Sequence, residues 1–249
     1  MFPDECRLCD APLREFSRLP VCSACLKEIE PLAAEYSCSC CHTPFLNSYP
    51  LDEMGRCPLC RLGLSNFDAA FSYGVYDGKL RDLIHLFKYG KVRSLARPFG
   101  RLLIAAMPLG MRFDAIVPMP MHWLRKWKRG FNQAELLARA VARHSGIPLV
   151  NALRRTRRAP AQAGLSASQR RRNAAGSFGI RRPEAVRGRH ILLVDDVLTT
   201  GATARAAASV LKRAGAARVT VLTLARADRR HFIGGLSGGS SYTVALGAR

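Results

Sequence analysis

The sequence predicts an α/β protein, a parallel sheet flanked by helices with a small cysteine-rich module in front of it. Three observations carry that prediction. Apolar runs at 113–117, 190–194 and 218–225 read as strands buried on both faces, and they alternate with helical stripes. All nine cysteines lie before residue 61, which sets an N-terminal module apart from the rest. The joint between the run 190–194 and the Ala-rich stretch 204–214 holds two carboxylates and a turn, Asp195-Asp196-Val-Leu-Thr199-Thr200-Gly201-Ala202-Thr203. Ligands of open α/β sheets gather at such strand ends.

At 249 residues the chain has room for one α/β domain and a small appendage. It contains no stretch of 18 uninterrupted apolar residues, so no membrane span is expected. Its first residues, Met-Phe-Pro-Asp-Glu-Cys, have neither the basic start nor the apolar run of a signal peptide, and a cytoplasmic location is expected. Nine cysteines in such a compartment argue for metal rather than disulfides.

The formal net charge of +21 is unevenly spread. Residues 1–65 hold 6 Lys/Arg against 9 Asp/Glu, whereas 119–189 holds 17 Lys/Arg against only Glu135 and Glu184. A charge so concentrated calls for an acidic partner, nucleic acid or pyrophosphate, or for a solvated loop.

In chain order, Cys6-x2-Cys9 and Cys22-x2-Cys25 come first, followed by Cys38-x2-Cys41 and Cys57-x2-Cys60. Two residues between cysteines let both thiolates of a tight turn reach one tetrahedral ion, and two such turns complete a four-thiolate zinc site. Sequential pairing gives two structural zinc ions in a double zinc ribbon over residues 1–65; interleaved pairing satisfies the same spacing. Cys40 is left over, and His42 is a substitute ligand or a bystander. The segment has too little apolar material for its own core, so metal is expected to supply its folding energy.

Beyond residue 66 the pattern changes. Residues 67–76 read as a strand closed by Asp77-Gly78, and Leu80, Leu83, Ile84 and Phe87 form a helical stripe. Arg81 and Lys88 face a ligand or, the preferred reading, fall on a solvated face of that helix. A second helix is expected over 93–107, stopped by Pro108 and Gly110. After the strand 113–117, the loop Pro118-Met119-Pro120 is stiffened by two prolines, either of which can take a cis bond. Arg125-Lys126-Trp127-Lys128-Arg129-Gly130-Phe131 reads as an anion-binding arm with a Gly hinge ahead of a helix running to about His144.

The stretch 194–203 resembles the 5-phosphoribosyl 1-pyrophosphate (PRPP) loop of type I phosphoribosyltransferases. Independently, unpaired amides at a helix N-terminus suit a phosphate, and an acidic pair suits a diol. The resemblance implies that Asp195 and Asp196, the candidate catalytic pair, hold the ribose hydroxyls of PRPP–Mg²⁺. It implies that Thr199, Thr200, Gly201, Ala202 and Thr203 hold the 5′-phosphate, and that Met119 in the loop and Arg129 meet the pyrophosphate. The combination of paired C-x2-C motifs, Pro118-Met-Pro, Arg129-Gly-Phe-Asn-Gln133 and 195–201 resembles the ComF family of competence and DNA-utilisation proteins, from Cys6 to Arg226. Within that span Arg154, Arg155, Arg157, Arg158, Arg170, Arg171 and Arg172 have no acidic residue near them in sequence.

The expected organisation is therefore a zinc module at 1–65, a phosphoribosyltransferase-like domain at 66–226, and a Gly/Ser-rich tail at 227–249 that is poorly ordered. Two functions follow. One is phosphoribosyl transfer in DNA uptake or utilisation. The other is non-enzymatic binding of single-stranded DNA, with the PRPP pocket used for recognition or regulation. For the second, the residues are Arg125, Lys126, Trp127, Lys128 and the arginines above, with Trp123 and Phe131 as further stacking aromatics. Proteins of the competence machinery are expected partners.

Overall fold

The apolar runs of the second half assemble into a four-stranded parallel sheet in the computed structural model, which describes residues 5–13, 19–32, 35–42, 44–45, 48–49, 51–62, 66–156 and 176–227. In chain order the elements are α1 (Ser23–Lys27), β1 (Tyr36–Ser37), β2 (Pro44–Phe45), α2 (Pro58–Arg61), β3 (Ala69–Val75) and α3 (Gly78–Lys88). After them come α4 (Ala96–Ala106), β4 (Ala115–Pro118), α5 (Trp123–Arg129), α6 (Gln133–Ser145), β5 (Leu153–Arg155) and β6 (Phe178–Ile180). The chain closes with β7 (His190–Leu198), α7 (Ala202–Arg213) and β8 (Arg218–Arg226).

The sheet order is β3-β8-β7-β4, all parallel, so the two longest apolar strands are central. Successive side chains of a strand point to opposite faces. Leu192 and Val194 of β7 accordingly pack with the buried stripes of α3, α4 and α6. Ile191 and Leu193 pack with α7 and with Leu153 and Phe178 of the antiparallel pair β5–β6. Two cores, one on each face, hold the sheet.

Local signals set the helix ends. The Asp77 carboxylate accepts from Gly78 N at the start of α3. The Asn132 side chain accepts from Ala134 N at the start of α6, and Gly146 ends that helix at φ 72°. The helix expected over 93–107 begins only at Ala96, after a 3₁₀ turn at Arg93–Leu95. Pro98 explains the shift: it lacks an N–H and is accommodated in a first turn but not in a helix interior.

Three other expectations change. The basic stretch expected as an anion-binding arm is itself the short helix α5, and Gly130, at φ 80°, caps it and donates to Lys126 O rather than acting as a hinge. Phe131, expected among the stacking aromatics, is buried against Phe87, with the Arg93 guanidinium over its ring. The peptide bonds before Pro118 and Pro120 are trans.

Among the described residues the cysteine-rich segment has no core of its own; it joins both cores of the sheet. Cys6 and Cys25 belong to the core on the α3 side, and Cys38, Cys41 and Cys57 to the core on the α7 side. Its chain runs beside the edge strand β3, where Leu32 N donates to Tyr73 O and His42 stacks on Phe71 at 4.3 Å. Leu32 thereby takes up one backbone acceptor of the edge strand that another chain could otherwise use.

Candidate functional site

Strand β7 carries the site because it outruns its apolar segment. Parallel pairing with β8 continues through Asp195↔Thr223 to Leu198↔Arg226, so the backbone of the acidic pair stays in the ladder. Strand parity then separates the two carboxylates. Asp196 continues the Leu192, Val194 series and faces α3, where Lys88 Nζ lies 3.0 Å from its Oδ1. Asp195 continues the Ile191, Leu193 series toward the β5–β6 side, where Arg155 lies over the Phe178 ring at 5.0 Å.

Above the acidic pair opens a cavity of about 480 Å³, within the usual size of small-molecule sites. Its walls come from four places. The acidic pair, Thr199, Gly201 and Thr203 form one side, and Met119 to His122 after β4 form the next. Arg125 and Arg129 of α5, with Asn132 and Gln133 at the start of α6, form the third, and Lys88, Tyr89 and Arg155 reach in from neighbouring elements.

Burial, and then the adjacent Asp196 carboxylate, push Asp195 up to about 7. Burial works against a charged Lys88, but Asp196 and then Asp195 hold its ammonium above the usual lysine range. Burial and the nearby Arg125 charge lower Arg155, with Asp195 opposing them. The cavity thus sets carboxylates at its floor against cations along its rim, the charge pattern that suits a ligand with both hydroxyl and phosphate groups.

The phosphate-type turn forms as its residues require. Leu198 ends β7, Gly201 adopts φ 73°, where an L side chain is strained, and Ala202 starts the 12-residue α7. Thr200 Oγ1 accepts from Ala202 N, and its carbonyl accepts from Arg205 Nη1 at 3.1 Å. The start of α7 brings further backbone N–H groups and the positive end of its dipole to the cavity edge.

Of the expected ligand residues, Asp195, Asp196, Thr199, Gly201, Thr203, Met119 and Arg129 line the cavity, with Thr200 and Ala202 in the same turn. Of the expected nucleic-acid residues, Arg125 and Arg155 also line it. Lys126, Trp127 and Lys128 are exposed on α5, and Arg154 faces solvent on β5. Arg157, Arg158, Arg170, Arg171 and Arg172 lie outside the described residues, as does most of the tail expected at 227–249. Of the two readings of Lys88 the solvated one fails: its side chain is 14% exposed, paired with Asp196 and part of the cavity lining. Gln133 and Thr223, both fully buried, also line the cavity. The RGFNQ motif pointed at Gln133 without giving it a role; Thr223 sits in an apolar strand and gave no signal.

The cysteines settle their pairing. Cys6, Cys9, Cys22 and Cys25 form one group and Cys38, Cys41, Cys57 and Cys60 the other, with the sulfur atoms of each group within 4.8 Å of one another. The interleaved arrangement is excluded. Four thiols at that spacing with no further ligand fit a closed structural zinc site. Cys40 instead donates to Asp68 O, and His42 stands on Phe71. In the second group, neighbouring sulfurs and then the Arg226 guanidinium hold Cys41 below the usual thiol range. Arg226, at the end of β8, also donates to Cys41 O at 2.7 Å and so ties this group to the sheet.

Comparison with known proteins adds sequence kinship to this geometry. The phosphoribosyl transferase domain model matches residues 128–232. DNA utilization protein YhgH of Salmonella typhimurium is 33% identical over 236 residues, 90% of this chain and 97% of that protein. Competence protein F of Haemophilus influenzae is 32% identical over 215 residues, covering 83% and 90% of the two chains. Competence protein ComFC of Bacillus subtilis is 36% identical over 114 residues, 45% of this chain and 44% of that one.

Proposed function

The chain belongs to the ComF family of competence and DNA-utilisation proteins carrying a phosphoribosyl transferase domain, and from that premise we propose that its cavity binds PRPP–Mg²⁺ for phosphoribosyl transfer. The observation that carries this reading is the convergence, around one cavity, of a diol-type acidic pair, a Thr/Gly turn at a helix N-terminus and three arginines.

In this reading Asp195 and Asp196 accept hydrogen bonds from the ribose 2′- and 3′-hydroxyls. Lys88, paired with Asp196, holds that carboxylate in place. The 199–203 turn receives the 5′-phosphate, and Arg125, Arg129 and Arg155 take the negative charge that grows on the departing pyrophosphate. Substitution at the anomeric carbon passes through an oxocarbenium-like ribose, so holding the sugar and stabilising the leaving group supplies most of the catalysis. The nitrogenous acceptor enters from the open side of the cavity. Zinc, held by the two cysteine groups, is structural.

We further propose that this activity serves DNA uptake or utilisation, as the names of the relatives suggest, together with other competence proteins. The cytoplasm, whose reducing conditions keep eight thiols available for metal, is the proposed location. Among the described residues no helix is long and apolar enough to cross a membrane.

The test is calorimetric titration of PRPP–Mg²⁺ into the wild type and into the Asp195→Ala, Asp196→Ala double variant, followed by an acceptor screen for pyrophosphate release. Saturable binding lost in the double variant is expected; equal binding by both would remove the ligand from this cavity.

A second reading has its own observation. Trp123 and Trp127 are 68% and 79% exposed on α5, interleaved with Arg125, Lys126 and Lys128. Exposed indoles among cations suit unpaired bases and their phosphates, so single-stranded DNA is the partner proposed for that surface.

A further inference from the structure

Gln133 is fully buried at the first position of α6 and lines the cavity. Its Oε1 accepts from Arg129 Nη1 at 3.2 Å. A guanidinium only donates, so this contact fixes which way the amide faces: oxygen toward Arg129, nitrogen away from it. That nitrogen, Nε2, is buried and has no hydrogen-bond partner among the described residues. The neighbouring Asn132 differs, since both ends of its amide are used, Oδ1 by Ala134 N and Nδ2 on Met119 O at 3.0 Å. Asn132 therefore fixes the start of α6 to the β4 loop, and Gln133 is left presenting a donor.

An unpaired buried donor is expensive to keep, and an apolar side chain would fill the position more cheaply. The placement says what would use it. Strand β7 stands between two helix N-termini, that of α7 after Gly201 and that of α6 after β4, with Met119 N bonded to Val194 O across the β4–β7 seam. Asp195 and Asp196 lie between them. A ligand whose sugar sits on the acidic pair and whose 5′-phosphate sits at α7 directs its other anionic end toward α6. There Arg129 and the start of α6, with Asn132, Gln133 and Ala134, line the cavity.

We propose that Gln133 is a ligand-binding residue that donates Nε2–H to an oxygen of the diphosphate end of the ligand, with Arg129 holding its amide in that orientation. This rests on the phosphoribosyl-diphosphate reading of the cavity and adds to it the residue that distinguishes a diphosphate sugar from a monophosphate one.

The experiment measures PRPP–Mg²⁺ and ribose 5-phosphate binding by calorimetry in the full-length wild type, Gln133→Leu and Gln133→Glu, with thermal melts of each ligand-free protein. Removing one hydrogen bond to a charged oxygen is expected to weaken PRPP–Mg²⁺ binding about tenfold or more in Gln133→Leu, and further in Gln133→Glu, where a carboxylate replaces the donor. Ribose 5-phosphate binding stays unchanged. Should Gln133→Leu lose its fold, Gln133→Glu, which keeps the shape of the side chain, decides the matter alone. PRPP–Mg²⁺ binding unaltered in folded variants, or equal weakening of both ligands, would overturn the role given to Gln133. A wild type that binds neither ligand would instead overturn the phosphoribosyl reading on which it rests.

Discussion

Asp195 and Asp196 are neighbours in sequence with opposite electrostatic surroundings, because strand parity turns one toward Lys88 and the other toward the β5–β6 side. The consequence is a measurable pH dependence. In the unfolded chain Asp195 titrates near 3.8, and in the folded protein it is pushed up to about 7 by burial and by Asp196. Folding therefore takes up a proton between those values. Stability contributed at this position is highest below pH 4, falls as pH rises through 7, and is level above it. Asp195→Asn removes that penalty, so it should be more stable than wild type at pH 8 by on the order of 2–4 kcal/mol, with the difference closing toward pH 4. Melts at both pH values check it; a difference independent of pH would refute the assignment. The acidic pair was legible in the sequence because two carboxylates interrupting an apolar strand need a reason. Lys88 was not, since a lysine at the end of an amphipathic helix has the same pattern whether it meets water or a carboxylate from a strand more than a hundred residues later.

At the scale of elements, α4 and α6 meet on one face of the sheet and hold the cavity wall in place. Gly100 of α4 packs directly against α6: a Cβ placed on it would stand 2.5 Å from Ala140 Cβ. Gly100→Ala should force the helices apart and cost about 1–3 kcal/mol despite alanine's better helix propensity. The fall in Tm would be several degrees, with weaker PRPP–Mg²⁺ binding because the α6 start moves with its helix. A rise in Tm, as propensity alone predicts, would show that the helices do not pack this closely. The periodic stretches 80–87 and 133–144 were readable as helices because their apolar stripes have a single consistent period. The helical form of the basic run at 125–129 is not legible in a composition dominated by charge, because the features that make it a helix are local: the His122 ring accepting from Leu124 N and the left-handed Gly130 cap.

Taken whole, the molecule is a sheet whose two cores are each completed by one cysteine group. Chelating the metals should for that reason loosen both faces of the sheet, not the N-terminal segment alone. Elemental analysis should give two zinc ions per chain, and a chelator should lower Tm and broaden the melt; a melt unchanged after zinc removal would dismiss metal as a folding element. The spacing of the cysteines made the four C-x2-C pairs legible, but neither which pairs share an ion nor that their cores belong to the sheet, because both depend on contacts far apart in sequence. The charge distribution has a reach beyond any one element. With +21 overall, the chain sets exposed Trp123 and Trp127 among the cations of α5 on a helix that also lines the cavity. If α5 holds single-stranded DNA, binding of an unstructured oligonucleotide should weaken as salt rises, log Kobs falling with log salt by about 0.7 for each phosphate neutralised. Trp127→Ala should then weaken binding by about 1–3 kcal/mol with the slope unchanged, whereas Lys126→Ala and Lys128→Ala should each make the slope shallower. Fluorescence titrations at several salt concentrations separate the two effects. A salt-independent affinity, or a Trp127→Ala variant that binds as wild type does, would exclude α5 as a DNA surface and leave its cations to the phosphate ligand alone.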